Sequence, residues 1–251
     1  MVMISVVTIV KEHASGLAMT HESLLRQDFS DWEMVIVVGE SKDNTLATAS
    51  ELQLNDSRIR AIEQNGFGIY GAMNEALDAV NGEYIWFMNA GDKFANNSVI
   101  THATGELERH NAAIVIGGYK VESETARTYS FPFRRISRLN FAFNRRGGCH
   151  QAMIFRNQTL QATGGFNLKY SLAGDFDMVL KIMESAKVIR VPEIYASIEP
   201  GGRADQGITQ VYKQKHEIRR DLLGGPFIFF ASILWTCLAR IKIATRFHKI
   251  S

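Results

Sequence analysis

The chain has 251 residues, 46% apolar and 22% charged, enough for one sizeable core or two small ones and incompatible with disorder as the main state. Two cysteines, Cys149 and Cys237, are too few for a disulfide scaffold. The stretch after Met1 reads as a first strand rather than a secretory signal, so a reducing cytoplasmic setting is expected. The formal charge of +2 conceals an asymmetry. Residues 1–124 hold 8 Lys+Arg against 18 Asp+Glu, a net of −10, whereas residues 125–174 hold 8 Lys+Arg and no acid, a net of +8. Residues 175–221 balance at 8 and 8, and residues 222–251 add Arg240, Lys242, Arg246 and Lys249 unopposed. An acidic half, a basic belt and a basic tail point to an anionic partner, whether nucleic acid, phosphate groups or a membrane surface.

In chain order, Met3–Val10 is a near-continuous apolar run, as expected of a strand covered on both faces. A helix pattern follows over Gly16–Gln27, then a strand over Met34–Val38, a helix from about Asn44 to Leu54 and a short strand over Arg58–Ile62. Tyr70–Val80 has helical spacing and Tyr84–Met88 is the fourth strand. Strands alternating with helical crossovers predict βαβ units around a mostly parallel sheet. Beyond them, Ala112–Gly117, Thr128–Phe131 and Gln151–Phe155 read as strands, Phe176–Glu184 as a helix with an apolar stripe and Thr209–Leu222 as a polar surface helix. No linker or repeat interrupts this, so the expectation is one α/β domain over residues 1–221 and an extension over 222–251. In the extension, Pro226–Ala239 is uncharged but shorter than the roughly 20 apolar residues a spanning helix needs. With Trp235 and four flanking cations it fits a helix lying on an anionic leaflet, with core packing or a tilted span as the alternatives.

In open α/β sheets ligands sit at the carboxyl ends of the strands, so the residues after each strand come first. After the first stand Lys11 and Glu12; after the second, the polar loop Gly39–Thr45, in which Asp43 or Asn44 also suits a helix cap. After the third, Gly66, Gly68 and Gly71 permit close backbone approach, but neither the dinucleotide nor the P-loop glycine order is present. After the fourth comes Asn89-Ala90-Gly91-Asp92, a carboxylate on a tight turn whose hard oxygens suit Mg or Mn. Asp175, which ends the acid-free block, is either a charge-compensating partner, a helix cap or a working base.

The succession SVVTIVKE, VVGESKDNT, GFGIYGAMNEAL, GEYIWFMNAGD, GCHQAMIFR and GGFNLKYSLAGDFDMVLKI resembles family 2 glycosyltransferases of the GT-A fold over roughly residues 3–205. It is most similar to the bacterial branch that builds O-antigen, capsule or colanic-acid-type polysaccharides. The resemblance implies a nucleotide-sugar-binding half over about 1–110 and an acceptor half over about 111–205. It implies that Asp92, with Asn89 where many members have Asp, holds a divalent cation on the donor diphosphate, and that Asp175 is the catalytic base, with Gly174 where many carry Glu. His150 and Gln151, with Asp177, fall on the acceptor side. Thr8, Val10, Glu12, Glu40, Asp43, Gly68, Asn74, Asn89, Ala90 and Gly91 fall on the donor side, and Arg203 falls on a loop near the diphosphate. Val38-Gly39-Glu40 departs from the Asp that members use to contact uracil, leaving Glu40 or Glu12 as substitutes, and Gly71 replaces another usual Asp.

The implied activity is inverting transfer of a sugar from a nucleotide-sugar, with uridine expected, to a hydroxyl of a polyprenyl-diphosphate-linked saccharide, performed by a peripheral enzyme at the inner face of the cytoplasmic membrane. The alternative is a catalytically silent GT-A module that binds nucleotide or membrane. A nucleotidyltransferase is disfavoured because no Gly-rich loop follows the first strand. In the belt, Arg134, Arg135, Arg138, Arg145 and Arg146 alternate with Phe131, Phe133, Phe141 and Phe143. Without a recognised binding motif this does not make a nucleic-acid surface. A solvated loop over buried phenylalanines and a face for the lipid diphosphate remain.

Overall fold

A computed structural model describes residues 4–122, 127–143, 149–200 and 207–224. Its first half is the expected alternation: β1 (Ile4–Val10), α1 (Ala14–Leu25), β2 (Trp32–Val38), α2 (Thr45–Asn55), β3 (Ile59–Glu63), α3 (Gly68–Leu77) and β4 (Tyr84–Phe87). There follow β5 (Lys93–Phe94), α4 (Val99–His110), β6 (Ile114–Val121), β7 (Arg127–Tyr129), β8 (Arg134–Arg135) and α5 (Arg138–Ala142). A 3-10 turn over His150–Ala152 leads into β9 (Met153–Arg156), α6 (Asn157–Gln161), α7 (Gly174–Ser185), β10 (Val188–Ile198) and α8 (Ile208–Leu223).

The strands form one mixed sheet in the order β3-β2-β1-β4-β9-β6-β10-β5, with β7 on β6 and β8 on β10. The four N-terminal strands run parallel, as do β6 and β10, while β9 runs antiparallel between β4 and β6. The apolar runs of β1 and β2 divide by parity, because successive side chains leave opposite faces of a strand. Val7, Val35 and Val37 pack with α3 and α7, through Met73, Ala76, Phe176 and Val179. Ile4, Val6, Met34 and Ile36 pack on the other face with α1 and α4, through Leu17, Leu24, Ile100 and Leu107. The fold is therefore an α/β three-layer arrangement, with helices covering both faces of the sheet.

Beyond the short β5, β8, α5 and α6, which the sequence reading does not include, three longer elements differ from the sequence-based expectation. The helix α4 was not expected, although Val99, Ile100, Ala103 and Leu107 form its buried stripe. The long strand β10 is masked in sequence by Pro192 and Glu193, and its pairing with β6 shifts register between Arg190 and Ile194 and again between Ile194 and Ala196. There an irregularity accommodates a residue with no N–H to donate. Finally, α8 is not simply a surface helix: it buries Gln214, Ile218 and Arg219. The Gln214 side chain accepts from the Leu172 N–H at 2.9 Å and donates to Ser171 Oγ at 3.2 Å, pinning the segment that enters α7.

The order of strands reverses between β1 and β4, whose crossovers leave in opposite directions, and in open α/β sheets the carboxyl edge at such a reversal is where ligands bind. Since β9 is antiparallel to β4, its leading turn His150–Ala152 lies at that same edge. Residues 225–251, carrying most of the apolar and basic extension, lie outside the described residues, as do Arg145, Arg146 and Arg203. Among the described residues no helix is long and apolar enough to cross a membrane.

Candidate active site

The turn after β4 is built by glycine and threonine. Gly91 has φ +93°, a left-handed conformation that a side chain would strain, and a Cβ there would collide with the Glu199 carboxylate. Its N–H donates to Gly16 O at 3.0 Å and Thr20 Oγ1 at 3.1 Å. The Thr20 hydroxyl in turn donates toward Asp92 O at 2.7 Å, with Asn89 O at 3.1 Å. One α1 side chain thus ties both ends of the turn.

The Asp92 carboxylate is 5% exposed. Its Oδ2 accepts from Gln151 Nε2 at 2.8 Å and its Oδ1 from the Glu199 N–H at 3.0 Å. Burial pushes its pKa up, and these two hydrogen bonds offset only part of that. Beside it in the turn, Asn89 Nδ2 lies 3.1 Å from His150 Nε2, while Asn89 Oδ1 is buried without a hydrogen-bond partner. An orphaned buried oxygen one turn from a carboxylate fits a hard divalent cation. Among the described residues no three His, Cys, Asp or Glu side chains converge on a metal position. A cation here would hold few protein ligands and complete its shell with phosphate oxygens and water, as Mg commonly does.

Asp175 opens α7. Its Oδ1 accepts from the Phe176 N–H at 2.8 Å and from Tyr70 Oη at 3.3 Å, and its Oδ2 stands 3.6 Å from His150 Nδ1. Burial pushes its pKa up, but the His150 side chain and the Lys215 charge outweigh burial and hold it below the usual carboxylate range. Tyr70 is driven well above its ordinary value, first by burial and then by the Asp175 charge, so it remains a donor. Lys215 is lowered by burial, with Asp175 opposing. Cys149, whose Sγ–H donates to Gln151 Oε1, is pushed by burial toward its thiol form. The two carboxylates at one edge are thus shifted in opposite directions, Asp92 upward by burial and Asp175 downward by its neighbours.

The remaining expected residues divide. Thr8 is fully buried in β1 with an unpartnered hydroxyl, and Val10 is buried at that strand's end. Glu12 is exposed at φ +50°, with its N–H donating to Ser41 Oγ at 2.9 Å, and Glu40 is exposed nearby. Asp43 accepts from the N–H of Thr45, the first residue of α2, at 3.0 Å and from the Ala14 N–H at 3.4 Å. Gly68, at φ +75°, starts α3. Asn74 clamps the segment before α7, donating to Phe166 O at 2.9 Å and accepting from Phe166 N–H at 2.7 Å. Asp177 is buried and ion-paired to Lys181 at 2.8 Å. Ala90 N donates to Ile9 O at 3.2 Å, joining the turn to β1.

Four participants were not anticipated: Thr20, Glu199, Tyr70 and Lys215. Glu199 follows β10 and would have been found by placing that strand. Thr20, Tyr70 and Lys215 lie on helices, where sequence spacing carries no sign of the edge they reach.

The model of the family described as "Glycosyl transferase family 2" matches residues 5–163. A PGL/p-HBAD biosynthesis glycosyltransferase of Mycobacterium bovis is 26% identical over 188 residues, 74% of this chain and 72% of that one. The chondroitin synthase of Escherichia coli is 27% identical over 78% of this chain but only 29% of its own length. Among solved structures, S. aureus TarS 1-349 in complex with UDP-GlcNAc aligns with TM-score 0.71 at 18% identity, over 87% of this chain and 67% of that one. The mannosyltransferase PcManGT from Pyrobaculum calidifontis, in complex with GDP-Man and Mn2+, aligns with TM-score 0.66 at 16% identity, over 95% and 75%. These two likenesses are of fold, and it is the GT-A fold of such enzymes.

Proposed function

The chain belongs to glycosyl transferase family 2, and from that premise we propose an inverting transferase that moves a sugar from a nucleotide-sugar to a hydroxyl of a lipid-linked saccharide in bacterial surface-polysaccharide assembly. The observation that carries the reading is the link between two carboxylates of opposite tendency through adjacent residues. Gln151 holds Asp92 and His150 faces Asp175.

Asp175, held as an anion, takes the proton of the attacking acceptor hydroxyl, assistance typically worth about 10²–10⁴-fold. Asn89 Oδ1 and Asp92 would hold Mg or Mn, which neutralises charge on the departing diphosphate when bound. Tyr70 and the Phe176 N–H orient Asp175. A uridine donor is the first choice because TarS is complexed with UDP-GlcNAc, and the GDP-Man complex of PcManGT makes guanosine the comparison. The domain division at 221, a peripheral membrane position for residues 222–251 and a lipid-diphosphate face on the belt belong to the same proposal.

The test is metal-dependent release of nucleoside diphosphate from a panel of sugar nucleotides with and without a lipid-linked acceptor. Acceptor-dependent release that Asp175→Asn abolishes, with nucleotide binding retained, is expected. An Asp175→Asn protein that transfers sugar at the normal rate removes the base assignment, and nucleotide binding without any turnover replaces the reading with the silent module.

A further inference from the structure

Between the donor turn and the base stands one imidazole, 9% exposed, with a different partner on each nitrogen. Asn89 Nδ2 is 3.1 Å from Nε2, and Asp175 Oδ2 is 3.6 Å from Nδ1. With Asn89 Nδ2 donating, Nε2 is the acceptor, which leaves Nδ1 as the ring nitrogen that carries a proton toward Asp175. Turning the amide over would put its NH2 in the place of the orphaned oxygen, in the turn ending at Asp92, where a cation would be repelled. The orientation that suits a cation is therefore the one that fixes the tautomer.

We infer that His150 is a positioning residue rather than an acceptor-contacting one: Asn89 locks it as the Nδ1–H tautomer, and that N–H aims the Asp175 carboxylate, coupling the base to the donor turn. The inference rests on the reading of Asp175 as the base. At 3.6 Å the contact is longer than a hydrogen bond and needs to close by only a few tenths of an ångström, as contacts of resting enzymes commonly do when substrate is bound. During transfer the acceptor hydroxyl proton goes to Asp175, the acceptor oxygen bonds to the anomeric carbon, and the bond to the diphosphate breaks with its electron pair. His150 keeps its proton throughout. The other face of Asp175 is held by Tyr70 and the Phe176 N–H, so removal of His150 leaves the carboxylate bound but free to turn.

Two isosteric replacements separate the nitrogens: Asn places its amide nitrogen where Nδ1 stands, and Gln reaches the Nε2 position instead. His150→Asn is expected to keep kcat within a few-fold of wild type. His150→Gln and His150→Ala are expected to lose kcat by roughly 10–100-fold, the usual cost of removing an orienting partner, with donor KM unchanged. Equal losses in the Asn and Gln variants, or a loss expressed in acceptor KM, overturn the inference. A second measurement needs no variant. In the unmodified protein, imidazole 15N spectra should show the neutral ring of His150 as the Nδ1–H tautomer, and an Nε2–H tautomer overturns it. Asp175→Asn runs alongside: full transfer by that variant sinks the base assignment itself, whereas an inactive Asp175→Asn with a fully active His150→Ala sinks only the role of His150.

Discussion

Gly174 stands where the family resemblance led one to expect Glu, and the packing explains why no side chain is there. An ideal Cβ on Gly174 would sit 2.9 Å from both Cδ2 and Cε2 of Tyr70 and 3.1 Å from its Cγ. Carbon atoms attract at roughly 3.5–4.0 Å, so the Tyr70 ring would have to retreat by more than half an ångström. Its retreat is blocked. The ring is stacked on Phe166 at 5.2 Å, Phe166 meets Phe87 edge-on at 5.2 Å, and the Phe166 backbone is clamped by Asn74 in both directions. Overpacking of this kind costs about 1–3 kcal/mol. At an ordinary helix position the same Gly→Ala change is stabilising by up to about 1 kcal/mol, so the two effects have opposite sign. We expect Gly174→Ala to lower Tm by roughly 2–10 °C for a chain of this size. Because Tyr70 Oη bonds Asp175, kcat should fall in the same protein while nucleotide binding persists. Thermal unfolding followed by circular dichroism and diphosphate release measure the two effects. In the double variant Gly174→Ala, Tyr70→Ala the alanine at 174 should carry no further cost over Tyr70→Ala alone. A single variant as stable as wild type, or strictly additive losses in the double variant, refutes the wedge.

Other consequences follow from the same contacts. The Asp175 pKa is depressed, so the base stays ionised and its stabilising contribution persists until pH falls through that lowered value. The acid limb of kcat/KM therefore lies below the usual carboxylate range, and Lys215→Met moves it upward; a limb unmoved by that substitution argues against the coupling. Thr20→Val removes the hydroxyl bonded to Asp92 O and Asn89 O, and should cost about 1–3 kcal/mol in thermal unfolding and weaken Mn2+ activation, read by metal titration. Asn74→Ala leaves the Phe166 N–H and carbonyl unpaired, so stability should drop by ~2 kcal/mol or more with donor KM unchanged. A raised donor KM at unaltered Tm would instead support the donor-side role expected of Asn74.

The parallel half of the sheet was legible because its strands are covered on both faces and so read as unbroken apolar runs between helical patterns. The same logic failed for β10, where Pro192 and Glu193 interrupt the run and a register shift absorbs them. It failed for α4 because only one stripe of that helix is apolar, and the exposed Thr101, Glu108 and Arg109 dilute it. At the site, position along the chain was enough to find residues on strand-end loops, such as Asn89, Asp92 and His150. It could not show which hydrogen bonds a carboxylate there accepts. Asp43 accepts from the N–H groups of Thr45 and Ala14, at the starts of α2 and α1, whereas Asp92 accepts from the Gln151 side chain and the Glu199 N–H.

The charge asymmetry shows the same distinction at larger scale. Two arginines of the basic belt are consumed by the fold: Arg156 pairs with Glu83 at 2.8 Å and Glu108 at 2.9 Å, both from the acidic half. Arg138 meets Glu184 and donates to Leu180 O and Leu222 O. Phe131 and Phe141 are buried, with the Arg190 guanidinium 4.5 Å from the Phe131 ring, so they are not available to stack a base. Arg127, Arg134 and Arg135 are exposed, and they are the described belt residues through which an anionic surface can act. Changing those three to glutamine should weaken binding to anionic vesicles with Tm unchanged. Changing Arg138 and Arg156 should instead lower Tm, because their carboxylate and carbonyl partners are left unpaired. Vesicle binding insensitive to the exposed set, or lost equally with either set, would separate the belt from any membrane role.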